Sequence, residues 1–304
     1  MTKKRLTERF PCLIPLRIWQ RKFCFYLGMH FDGRKYAKTQ SDKSLSYNLF
    51  SSSCPLYNTS TGFDMIYQEN KVYNLKLAAA QINGLLIRPG ETFSFCKSAR
   101  HADRNTPYKD GLTVINGELT TSPGGGLCQI SNLLFWIFLH SPLTITERHG
   151  HRTKDFPEPP SDAPMGVDAT ISEGWLDLKV TNNTTQTFQI SITFSDKSIT
   201  GCLLTNYDNE TFYMIENRNL QYSKQNNVVF EEVDIIQRLL SKENGKELSE
   251  KKLYRNKCKI GYPLPEGTPI TTKGTNSKRY GDSVKKFHAG ICSFAAKARR
   301  QFRP

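Results

Sequence analysis

The segment TSPGGGLCQISNLLFWIFLHS, residues 121–141, constrains the fold more than any other. Three glycines lead into a run in which Ile130, Leu133, Leu134, Ile137 and Phe138 recur at helical spacing. Ser141-Pro142 ends it, because the residue before a proline is pushed out of the helical region. A helix this apolar on every side belongs inside a core, and it falls short of the roughly 18 apolar residues that a membrane span needs. Cys128 sits in its first turn, directly after Gly124, Gly125 and Gly126.

The surrounding pattern predicts an α+β fold. Leu75, Ala78, Ala79, Ile82 and Leu86 share one face of an amphipathic helix near residues 72–87, which Arg88-Pro89-Gly90 stops and Glu91 orders as a turn. ETFSF alternates as a short strand, and LTVINGELTT reads as two strands around Asn116-Gly117, a hairpin signal. LTITER is a strand leading to His149 and His151, and VDATIS, WLDLKVTN and TFQISITFS continue an antiparallel sheet. VVFEEVDIIQRLL fits strand and helix alike, while KENGKE favours a hairpin turn. The expected organisation is a basic, irregular lead-in over 1–58, a core over 59–204, a β-rich extension over 205–265 and a disordered basic tail over 266–304.

The net charge of +14 resides at the two ends. Residues 1–38 hold ten Lys/Arg against Glu8 and Asp32, residues 270–304 hold nine against Asp282, and the body between is slightly acidic. That distribution argues against a specific nucleic-acid-binding fold, which gathers its basic residues on one folded face, and suits solvated arms that serve solubility or touch an anionic membrane surface or RNA non-specifically. The basic opening lacks the apolar core of a signal peptide, since Pro11, Pro15, Arg17, Arg21 and Lys22 interrupt its short apolar runs. The expected residence is the cytoplasm, peripheral to the inner membrane surface. Eight cysteines scattered singly, with no CxxC pair, suit reduced thiols better than disulfides or a zinc cage.

Cys128 is the candidate nucleophile. A helix N-terminus stabilises a thiolate through its unpaired N–H groups and positive dipole end. Glycines at 124–126 clear the approach, and N–H groups of Gly124, Gly125, Gly126, Leu127 and Gln129 are candidates to hold a developing oxyanion. A cysteine nucleophile needs a base, and His149 and His151 lie on one face if TERHGH continues the strand. Asp168 is a candidate to orient the imidazole. The competing structural reading makes Cys128 a small buried hydrophobe and the histidines exposed strand-end residues. A third reading pairs His149 and His151 with Cys128 or Asp168 as metal ligands; no second paired-ligand motif supports it, and no metal or other cofactor is expected.

IRPGETFSF, DGLTVINGELTTSPGGGLCQISNLLF, ITERHGH and GVDATISEGWLDLKVTNNT occur in the order and spacing of the VanW family, which the chain resembles from about residue 3 to 265. The resemblance implies an accessory role in glycopeptide resistance and a connection to the cell wall. Some relatives behave as cysteine-dependent L,D-transpeptidases, which on that likeness makes Cys128 the nucleophile and His151, in the R-x-x-H pattern after Arg148, the base, with His149 the alternative. The expected partner is a peptidoglycan stem peptide or its precursor. The rival expectation is a non-catalytic accessory protein that binds a wall precursor or another resistance protein. Those relatives resemble exported or membrane-anchored proteins, whereas here neither a signal peptide nor a spanning helix is legible.

Overall fold

The computed structural model describes residues 9–115, 118–157 and 161–272. At its centre is the helix Cys128–Leu139, in which every residue from Leu133 to Leu139 is buried. It packs on the strands Tyr47–Pro55 and Ser198–Thr205 of a four-stranded sheet ordered Tyr47–Pro55, Ser198–Thr205, Phe188–Phe194, Leu86–Ile87. Phe135, Ile137 and Phe138 are fully enclosed, each contributing about 1.5–3 kcal/mol of burial. Gly201 makes the close packing possible, since a β-carbon there would stand 3.0 Å from the Leu133 side chain.

The amphipathic helix runs over Ile66–Ile82 and buries Val72, Leu75, Ala78, Ala79 and Ile82. It stops earlier than Arg88-Pro89-Gly90 suggests, because the chain reverses at Asn83-Gly84, where Gly84 takes φ +77°, and Leu86–Ile87 joins the sheet. The Gln40 side-chain amide donates to the carbonyls of Ala80 and Asn83 and caps the helix end. Arg88-Pro89-Gly90 is a turn between strands, ordered as expected by Glu91, whose Oε2 accepts the Arg88 N–H at 3.1 Å.

A second four-stranded sheet, ordered Lys35–Tyr36, Glu91–Ser94, Lys179–Thr181, Thr144–Glu147, mixes one parallel pair with antiparallel ones. A third is built on the long antiparallel strands Thr211–Gln225, Val228–Ser241 and Glu247–Ile260, edged by Thr153–Lys154 and Ile270–Thr272. VVFEEVDIIQRLL is therefore strand. Its buried acids face cations across the sheet, with Lys154 3.1 Å from Glu231 and Lys257 2.9 Å from Glu232. The strands Asp110–Ile115 and Glu118–Pro123 pair antiparallel as predicted, although Asn116-Gly117 themselves lie outside the described residues.

The fold is α+β. Two expectations need correction. The lead-in is not irregular: it holds an 18-residue helix, Ile14–Phe31, and the edge strand Tyr47–Pro55, whose serine-rich face disguised it as linker. VDATIS forms no ladder beyond one bridge from Ser172 to Leu176, because its polar groups are engaged by the cysteine helix instead. Of the tail, Ile270–Thr272 pairs parallel with Tyr222–Lys224, and 273–304 lie outside the described residues. Among the described residues no helix is long and apolar enough to cross a membrane, and the seven described cysteines are free thiols.

Candidate active site

The glycine turn exists because two backbones cross there. A β-carbon on Gly125 would meet the Gly111 carbonyl oxygen at 2.1 Å, and one on Gly111 would meet the Gly125 oxygen at 2.4 Å. Asn74, buried in the helix Ile66–Ile82, fastens the crossing: its amide donates to Lys109 O at 2.8 Å and Gly125 O at 3.1 Å, and its Oδ1 accepts the Lys109 N–H. Gly124 and Gly126 take φ of +79° and +89°, a region that side chains disfavour. The helix cap, however, is Leu127 rather than a glycine, and Leu127 has no side chain able to accept from the first turn.

That geometry sorts the candidate oxyanion donors. The Gly124 and Gly125 N–H groups donate to Lys109 O and Ser122 O, and the Gln129 N–H donates to Gly126 O. Gly126, Leu127 and Cys128 carry the N–H groups of the turn without a backbone partner among the described residues. The Gln129 side chain faces away from the thiol, donating to Pro55 O at 2.7 Å, so it ties the helix to the edge strand.

Residues 168–171 form the opposite wall, held by two further polar side chains of the cysteine helix. Ser131 Oγ donates to Ala169 O at 2.5 Å, and Asn132 Oδ1 accepts the Ala169 N–H at 2.7 Å. The Thr170 N–H donates to His149 O at 2.7 Å and so ties this wall to the histidine segment. These bonds bring Thr170 Oγ1 to 3.4 Å from Cys128 Sγ.

His151 stands between Cys128 and Asp168. Its Nδ1 lies 2.6 Å from Asp168 Oδ1, and its backbone N–H donates to Oδ2 at 2.5 Å. A carboxylate on Nδ1 selects the tautomer or cation with a proton there and turns the rest of the ring to the thiol. Burial pushes the Cys128 thiol up, but the His151 ring outweighs it and, with Thr170, holds the thiol below its ordinary value. Burial likewise works against charge on His151, and Asp168 and Cys128 reverse it, raising the imidazole well above the usual histidine range. Asp168 is itself buried, and His151 holds its carboxyl low. Cys128, His151 and Asp168 thus form a row in which each neighbour favours the charged form of the next. The His151 side chain is 32% exposed and Cys128 is half-buried, whereas the Asp168 side chain is only 4% exposed.

His149 goes elsewhere. The strand ends at Glu147, so the two histidines do not continue one face; His149 Nε2 lies 3.1 Å from Glu147 Oε1. Glu147 also accepts from Lys179 Nζ at 2.8 Å and the Asp177 N–H at 3.1 Å, and although burial opposes its charge these partners hold it down to about 2. Among the described residues no three His, Cys, Asp or Glu side chains converge as a set of metal donors.

Arg148 has a role that the residue pattern did not expose. Its Nε donates to Asp168 O at 2.5 Å, its terminal nitrogen to Asn256 Oδ1 at 2.9 Å, and its guanidinium lies 4.2 Å from the Tyr254 ring centre. It thus joins the third sheet to the backbone of Asp168. The readable signal for Ser131 and Asn132 was their polarity at three and four positions beyond Cys128 on an apolar helix. Arg148 offered none beyond its place before the histidines.

The fold and this row of side chains define an α+β protein in which a cysteine, a histidine and an aspartate stand side by side at the start of a buried helix. The chain belongs to the VanW family. The family profile described as VanW like protein matches residues 70–204. Over 270 residues, 89% of this chain and 98% of the relative, it is 57% identical to the vancomycin B-type resistance protein VanW of Enterococcus faecalis. It is also 35% identical over 118 residues, 39% of this chain and 37% of the other, to the uncharacterized protein YoaR of Bacillus subtilis. No solved structure matches.

Proposed function

We propose that the protein is an accessory protein of glycopeptide resistance that works as a cysteine-dependent acyltransferase or peptidase on peptidoglycan stem peptides or their precursors. The observation that carries the chemistry is His151 held by Asp168 against a thiol at a helix start. The biological setting rests on the 57% identity to a vancomycin resistance protein.

In this reading the Cys128 thiolate attacks a stem carbonyl carbon, and the carbonyl electron pair moves to oxygen. The N–H groups of Gly126, Leu127 and Cys128 receive the oxyanion, the role in which one such donor contributes about 3–4 kcal/mol. The tetrahedral adduct collapses, the C–N bond breaks, and His151 gives its proton to the departing amine. An acceptor amine then attacks the thioester, giving its proton back to His151 and releasing the thiolate. Water in place of the amine gives hydrolysis. Wall joined through a position other than its D-alanyl-D-alanine end offers vancomycin less to bind.

The test is intact-mass spectrometry of the protein and its Cys128→Ala form after incubation with stem tetrapeptides and pentapeptides. An acyl adduct or product that vanishes in the variant is the expected result. A folded protein giving neither adduct nor turnover would favour a non-catalytic role, with the same pocket used to bind a precursor or another resistance protein.

A further inference from the structure

We propose that the helix Ile14–Phe31 is a membrane-seating element: it lies in the headgroup plane of an anionic lipid bilayer with Leu16, Trp19, Phe23, Leu27 and Phe31 inserted. A helix packed on one side of a globular body normally turns a polar face to water. This one does not. Its inner side is fixed by Met29, which is buried, by Tyr26, whose hydroxyl donates to Glu173 Oε1 at 2.7 Å, and by the Lys22–Glu173 ion pair. Its outer side carries the five named residues at successive intervals of three or four, with Trp19 62% and Phe31 75% exposed. Trp19 and Phe23 stack on each other with ring centres 5.4 Å apart, so part of the stripe is ordered as one ridge.

Charge selects the occupant. No Asp or Glu occurs from Arg9 to Phe31, and Arg9, Arg17, Arg21 and Lys22 punctuate the apolar residues. Two copies meeting through this ridge would bring those cations together with no acid on the stripe to offset them. An anionic bilayer meets both requirements: its acyl boundary takes the leucine and aromatic side chains, tryptophan suits the interface, and phosphate headgroups face the exposed Arg9 and Arg17, while Arg21 and Lys22 are engaged by Trp175 and Glu173. Three cations, at 17, 21 and 22, lie within the helix, and its second half, from Arg21 on, packs on the protein body, so the element lies on the membrane instead of crossing it.

The seating bears on the site. Glu173 and Trp175, which hold Tyr26 and the Arg21 guanidinium, lie in the turn that follows Thr170 and Ile171 at the Cys128 thiol. A helix docked on lipid therefore gives the cysteine pocket a fixed placement relative to the headgroups. The inference is independent of the acyl-transfer reading, and its test reads binding alone.

The experiment is co-sedimentation of the full chain with vesicles of phosphatidylglycerol and phosphatidylcholine, and with phosphatidylcholine alone. It is repeated for Leu16→Gln/Phe23→Gln/Leu27→Gln, whose exposed positions leave the melting temperature unchanged. Binding to the anionic vesicles that falls at least about tenfold in the triple variant is expected. Quenching of fluorescence by brominated acyl chains, lost in Trp19→Phe, is expected with it. Equal binding by wild type and triple variant, with no quenching, would assign the attraction to the basic ends and overturn the proposal. So would a wild-type dimer in sedimentation that the triple variant dissolves and that shows no vesicle binding.

Discussion

Asp168 grips His151 at two points, its Oδ1 taking the ring Nδ1 at 2.6 Å and its Oδ2 the backbone N–H at 2.5 Å. One carboxylate thus fixes where the histidine backbone passes and which way its ring faces. A rotation of the ring breaks one bond, and a shift of the loop breaks the other.

Replacing that carboxylate by an amide separates charge from shape. In Asp168→Asn the imidazolium loses its anion, the His151 pKa falls, and the Cys128 thiol rises toward its ordinary value. Alkylation of Cys128 at pH 6 is expected to slow at least about tenfold relative to wild type, while the rates converge at pH 9. Iodoacetamide labelling read by peptide mass spectrometry measures it; an unchanged rate at pH 6 would show that Asp168 does not sustain the thiolate.

The two histidines differ sharply in their partners, and their variants are expected to differ as well. His151→Ala removes the cation beside the thiol and abolishes fast labelling at pH 6. His149→Ala leaves labelling within about twofold and loses only a partly exposed link to Glu147, a cost of about 0–1 kcal/mol in urea unfolding. Equal loss of labelling in both would contradict the separation seen in the structure.

Gly125→Ala tests the crossing. With the Gly111 oxygen 2.1 Å from the new methyl, one of the two backbones must move, and a loss of about 2–4 kcal/mol is expected. Cys128 labelling at pH 6 should fall with it, because the turn that presents the helix start is displaced. A variant with wild-type stability and labelling would mean that the crossing yields easily.

His140, at the far end of the cysteine helix, sets an acid limit on stability. Burial lowers it to about 4, and its ring is stacked on Phe50 with centres 3.5 Å apart. The unfolded chain takes up this proton near pH 6.5 and the folded one does not until about pH 4. Stability from this group is therefore complete above pH 6.5 and declines as pH falls toward 4, by up to about 3 kcal/mol. Urea unfolding at pH 7 and pH 5 should show a smaller difference for His140→Gln than for wild type.

How much of this was legible depended on how locally each feature is encoded. The cysteine helix was readable because its apolar spacing and its terminating Ser141-Pro142 lie within the segment itself. Asp168 was legible as a candidate partner for a histidine, and the family resemblance pointed to His151; the local residue pattern left both histidines open, since the pairing follows from where the strand ends and from Glu147 capturing the other ring. The helix start was legible and its cap was not, because the glycines are demanded by Gly111, a residue 14 positions away on another strand. Tyr47–Pro55 was hidden for a similar reason: serines that read as linker pair with Ser198–Thr205, about 150 positions later.

That pairing has a practical consequence for anyone trimming the chain. A fragment beginning at residue 59 would leave Ser198–Thr205 with one side bare, its N–H and C=O groups unmatched in a row, and Gln129 without the Pro55 carbonyl. Naked strand borders recruit other chains. Such a piece, though it kept Cys128, His151 and Asp168, would be expected to precipitate, and insolubility would then be misread as a property of the cysteine site instead of the missing nine-residue border.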